Sequence, residues 1–133
     1  MKRLFVIVVL IATFLMACVK QTIHTDQDAP ILSVVSPRIK LTSPQDFQRF
    51  SAGQTVVITA TITDDEQLEK VHLLVINRAT GAQVLRLEKN MAVKSYTLSE
   101  SFIPVAGPRY TIKIEAVDGN NNNAKTQIDV SCN

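Results

Sequence analysis

Two hydrophobic patterns divide this chain. Leu4 to Ala17 is an almost unbroken apolar run behind Met1-Lys2-Arg3, whereas from Ile31 onward apolar and polar residues alternate with period two between clusters of turn residues. Alternation sends successive side chains to opposite faces of a strand, so the second region predicts antiparallel sheet with one packed face and one wet face. Thr55 to Thr63 shows this most clearly, with Val56, Ile58, Ala60 and Ile62 on one face and Thr55, Thr59, Thr61 and Thr63 on the other. Arg38 to Thr42 places Ile39 and Leu41 together. Lys94 to Ile103 turns Tyr96, Leu98 and Phe102 inward. Tyr110, Ile112, Ile114 and Ala116 alternate with Thr111, Lys113 and Glu115, and Thr126 to Cys132 turns Ile128 and Val130 inward.

Lys70 to Arg78 departs from this alternation. Its centre, Val71-His72-Leu73-Leu74-Val75-Ile76, is apolar on both faces apart from His72, which predicts a central strand. Ala79-Thr80-Gly81-Ala82 then reads as a hairpin turn into Gln83 to Leu87, with Gly81 free to take positive φ. Pro104 to Arg109 and Gly119 to Asn123 form further turns, and Asp64-Asp65-Glu66 interrupts the apolar pattern as a loop. The expectation is an all-β domain over residues 31–133: a seven-stranded antiparallel Greek-key sandwich, with a small barrel as the rival closure.

The first pattern has a different meaning. Lys2 and Arg3 precede an apolar core too short to span a membrane comfortably, and Leu15-Met16-Ala17-Cys18 matches the lipobox of bacterial signal peptidase II. Residues 1–17 are therefore expected to be a lipoprotein signal peptide, and Cys18 to become the acylated first residue. Two or three palmitate-type chains hold a protein stably on a bilayer, because each buried methylene contributes about 0.8 kcal/mol. Residues 18–30 are polar and aperiodic and read as a lipidated tether. Val19 stands where an aspartate would signal inner-membrane retention, so the expected address is the outer membrane, facing either periplasm or exterior.

Charge changes once the leader is set aside. Losing Lys2 and Arg3 leaves twelve of the 14 basic residues against 12 acidic ones, so no basic footprint points to nucleic acid. With Cys18 acylated, Cys132 has no cysteine partner and reads as a small apolar side chain ending the last strand.

Several turn and corner motifs carry a resemblance. Ser43-Pro44, Phe50-Ser51-Ala52-Gly53, the Thr-rich strand ending at Asp64-Asp65, Gly107-Pro108-Arg109-Tyr110 and Ala116-Val117-Asp118 with Asn120 resemble the bacterial immunoglobulin-like, cadherin-like and fibronectin-III-like modules of envelope proteins. The resemblance spans about Arg38 to Cys132. It implies a two-sheet sandwich, and it sets Tyr110 where such domains place a tyrosine corner.

Candidate chemistry is sparse. His24 lies in the tether and His72 within a strand, with no nucleophile elbow, phosphate loop or zinc motif near either, so the chain is not expected to be an enzyme. In a sandwich, the Asp64 to Glu69 and Asp118 to Asn123 loops should emerge at the end where the tether comes in. Asp64, Asp65, Glu66, Asp118 and Asn120 could then supply oxygens to calcium as a cofactor, or could simply form turns. Leu74 and Ile76 make a surplus apolar face and are the candidate partner-binding residues, unless long stems such as Arg78 and Lys113 cover them. The expected function is a non-catalytic, lipid-anchored envelope module that binds a protein or glycan, or scaffolds. A calcium-dependent adhesion module, or an accessory subunit of an envelope enzyme or transport complex, is the alternative.

Overall fold

The alternating stretch after Thr55 and the doubly apolar stretch after Lys70 lie on one continuous strand. The computed structural model describes residues 35–133 and contains six strands: β1 (Arg38–Ser43), β2 (Arg49–Phe50), β3 (Val56–Asn77), β4 (Gln83–Phe102), β5 (Arg109–Asp118) and β6 (Asn123–Cys132). The signal segment, Cys18, the tether and residues 31–34 lie outside the described residues.

Two long strands make the sandwich. The first half of β3 pairs with β1, matching Ile39 to Ile62 and Leu41 to Ala60, and with the second half of β4, matching Ile58 to Glu100 and Ile62 to Tyr96. Its second half pairs with β5 and with the first half of β4, so that Leu73 sits between Leu87 and Ile114. Register shifts between Thr63 and Lys70 mark where β3 bends from one layer into the other, and β4 bends beside it. One layer is thus β1 with half of β3 and half of β4. The other is the remaining halves with β5, β6 and the short β2, which runs parallel to β6 through Phe50 and Cys132.

Expected and observed elements differ at these bends. Thr55 to Thr63 and Lys70 to Arg78 are one strand, as are Gln83 to Leu87 and Lys94 to Ile103, so the seven separate strands expected become five, and the short β2, which the alternation does not predict, makes six. The cause is pairing: the polar interruptions fall opposite each other on β3 and β4, and the ladder bends without ending.

Both layers fill one core. Val56, Ile58, Ala60 and Ile62 of one layer and Val71, Leu73 and Val75 of the other have no solvent exposure, and Ile112, Ile114 and Ala116 of β5, beside Val75, Leu73 and Val71 in the second layer, extend the same core. The valine, leucine and isoleucine side chains contribute about 1.5 to 3 kcal/mol each on full burial. Cys132 is buried among them and forms no disulfide among the described residues. Tyr110 stacks at a tilt on Phe102, ring centroids 5.4 Å apart, and its hydroxyl accepts from the Val105 amide at 2.9 Å. A phenol reaching the backbone five residues upstream is the tyrosine corner, and it fixes the turn from β4 into β5.

Candidate functional site

The polar bend of β3 and the polar end of β5 meet where β1 begins. Arg38, the first residue of β1, pairs with Thr63 just before the bend, and Gly119 N–H donates to Gln67 C=O at 3.1 Å across the gap between the two segments. Asp64, Glu66, Asp118 and Asn120 therefore share one end of the sandwich, and the Asn120 amide donates to Glu66 Oε2. The two segments do converge, but Asp64 to Glu69 is a bend inside β3 and not a separate loop.

Their carboxylates are already employed. Asp64 Oδ1 accepts from the Glu66 and Gln67 amides at 2.9 and 3.0 Å. Asp118, 1% exposed, accepts from the Asn120 and Asn122 amides at 2.9 and 2.7 Å through Oδ1, and from Asn122 Nδ2 at 2.8 Å through Oδ2. These are side-chain-capped turns, which Asp forms because its short carboxylate reaches amides two to four residues on. Asp64 Oδ2 is different: it is buried and has no hydrogen-bond partner among the described residues. Asp65 is exposed, and its carbonyl accepts from Lys94 Nζ at 2.7 Å. Among the described residues, no group of three or more His, Cys, Asp or Glu side chains is clustered closely enough to hold a metal ion.

A second place lies on the outer face of the larger layer. Strand register lines up Arg86, Leu74, Lys113 and Gln127 in one outward row across β4, β3, β5 and β6. Two residues along, His72, Glu115 and Lys125 make a parallel row. Between them, Leu87, Leu73, Ile114 and Thr126 contribute the floor, and the whole forms an open trough of about 550 Å³. That volume is in the range of small-ligand sites.

Leu74 thus faces the trough and is half-buried, with long stems on either side. Ile76, also half-buried, stands one step along β3 outside the trough lining, near Thr111 in the register. His72 occupies the outer face as expected. Its covered Nε2 lies 3.8 Å from Glu88 Oε1 and has no hydrogen-bond partner among the described residues. Arg86, Lys125 and Gln127 are the residues that sequence reasoning passed over. Each is an ordinary polar member of an alternating strand, and only cross-strand register brings them beside Leu74.

Comparison with known proteins agrees with the fold. Residues 37–101 match the family described as "Bacterial Ig domain". Among solved structures, the chain is similar to the fibronectin(III)-like modules of Clostridium thermocellum CbhA, with 22% identity, a TM-score of 0.50, and coverage of 74% of this chain and 47% of that one. The match therefore spans about half of that relative's length. It is also similar to a singly substituted superoxide reductase (neelaredoxin) from Ignicoccus hospitalis, with 7% identity, a TM-score of 0.55, and coverage of 74% of this chain and 80% of that one. At these identities the likeness shows an immunoglobulin-like sandwich and nothing about activity. No curated protein matches the chain.

Proposed function

We propose that the chain is a non-catalytic binding or scaffolding module, anchored by lipid on Cys18 to the outer membrane and presenting its sandwich on the 18–30 tether. The observation that carries the binding part is the trough: an immunoglobulin-like sheet face with a half-buried leucine at its centre and charged side chains on both walls. Such a face recognises a partner without moving bonds. The anchor rests on Lys2-Arg3, the apolar run and Leu15 to Cys18.

The test is made in the envelope. Wild-type protein should take up labelled palmitate and fractionate with outer membrane, and Cys18→Ser should lose the label and leave an uncleaved or soluble product. Retention of Cys18→Ser in the outer membrane with unchanged gel mobility, and no acyl label on the wild type, would remove the anchor. Pull-down of the lipidated protein from its own envelope should recover a protein or glycan partner.

One observation favours a calcium-dependent form of the same module. The unpartnered, buried Asp64 Oδ2 lies at the end where Glu66, Asp118 and Asn120 gather, and a carboxylate oxygen left without a donor is the kind of group that a hard cation satisfies.

A further inference from the structure

The trough crosses four strands, and that direction limits what can lie in it. β3 and β5 each have a paired strand on both sides along its course, so their backbone groups are committed and an added strand finds none to join. Over these two strands recognition must come from side chains; only the outer edges of β4 and β6 keep unpaired backbone. Two cations stand on one wall: Lys113 makes no ion pair among the described residues, and Arg86 is paired with Glu88 at 3.5 Å while 65% of its side chain stays exposed. They flank Leu74 from the neighbouring strands, about 10 Å apart at the backbone given the usual strand spacing. Across the trough, Lys125 neutralises Glu115 at 3.0 Å, leaving a paired, hydrogen-bonding wall without net charge. Gln83 and Gln127 add amides that donate and accept.

The complement of this surface is an anion with several hydroxyls and one apolar face. A pyranose uronate has all three: a carboxylate for a cation, hydroxyls for amides and the Lys125–Glu115 pair, and a C–H face for Leu74. An acidic peptide fits less well, because its backbone would have no partner on the interior strands. Building on the binding-module reading, we propose that the trough binds a short acidic glycan, with its carboxylates held by Arg86 and Lys113 and a sugar ring resting on Leu74.

Calorimetric titration of the detergent-solubilised full chain with trigalacturonate tests this. Saturable binding is expected, lost with maltotriose and weakened as salt rises. Arg86→Gln and Lys113→Gln should each weaken it by about tenfold, the usual consequence of removing one charge-assisted contact, while Lys40→Gln on the opposite layer leaves it unchanged. Arg86 and Lys113 are exposed, so the variants should melt like the wild type. Absence of trigalacturonate binding, or equal binding by both variants, overturns the proposal. Tetraglutamate binding as tightly as trigalacturonate overturns it in favour of an acidic peptide. The two readings fail separately: an envelope partner recovered equally by wild type and the double variant keeps the module and removes the glycan trough, whereas trigalacturonate binding with an unlabelled Cys18 keeps the trough and removes the anchor.

Discussion

Phe47 holds a backbone conformation that its side chain disfavours. Its φ is 59°, in the left-handed region, where a Cβ crowds the following carbonyl at a cost of about 1 to 2 kcal/mol. Asn121, at φ 67°, tolerates the same region because its short amide suits such turns. What holds Phe47 there is its surroundings: its amide donates to Asp129 C=O at 2.7 Å, and Asp46 Oδ1 accepts from the Asp129 amide at 2.9 Å, stitching the turn to β6. Burial gives little in return, since the residue is 70% exposed. Phe47→Asn should therefore raise stability by about 1 kcal/mol in urea unfolding, through relief of strain with no cavity left behind. A loss of stability would mean that the ring is packed against something in solution. Nothing in the local sequence Gln45-Asp46-Phe47-Gln48 announces this turn, because a bulky aromatic is not expected at positive φ. Tyr110, by contrast, was legible through the resemblance to immunoglobulin-like modules, which implies a tyrosine corner at this position, and its hydroxyl does accept from the Val105 amide.

At the level of elements, facing was legible and continuity was not. Val56, Ile58, Ala60 and Ile62 are all buried, as their period-two spacing requires, and Val71, Leu73 and Val75 face inward with Leu74 and Ile76 outward. Whether a polar interruption ends a strand or bends it depends on the neighbour. Asp64-Asp65-Glu66 has the composition of a loop, yet Leu68 resumes pairing with Val93, and Lys94 ties back to Asp65, so β3 and β4 bend together. A single sequence holds the composition but not the register. The facing itself has a measurable consequence: Ile58→Ala and Ile114→Ala should each cost about 2 to 5 kcal/mol, through lost burial and a residual cavity. Thr59→Ala, on the outer face of the same strand, should lie within about 0.5 kcal/mol of wild type. Comparable losses for Ile58→Ala and Thr59→Ala in urea melts would contradict a one-sided core, since a one-residue slip exchanges the faces of the whole strand.

For the whole molecule, the bend of β3 and β4 sets what can meet at each end. Because both strands turn over at the same level, the start of β1, the Asp64 bend and the β5–β6 turn are gathered at one end, while the Phe47 turn, the Asn77 to Ala82 hairpin and the tyrosine corner lie at the other. The convergence expected from topology is there, but the chemistry is not a free cluster of carboxylates. Asp118 organises its turn through two backbone amides, so Asp118→Ala should destabilise the domain by about 2 to 3 kcal/mol with or without calcium, by leaving those donors unpaired. Asp64 is the sharper probe of a cation. Its Oδ1 caps the bend while Oδ2 is free, and Asp64→Asn keeps an acceptor and removes the charge. A calcium-dependent module should melt higher in millimolar calcium than in chelator, because a ligand at about 100 times its dissociation constant adds about 2.7 kcal/mol to folding. Asp64→Asn should abolish that difference while its melt in chelator stays close to wild type, or rises as like charge beside Glu66 is removed. Identical wild-type melting temperatures in calcium and chelator would leave Asp64 and Asp118 with turn formation as their whole role.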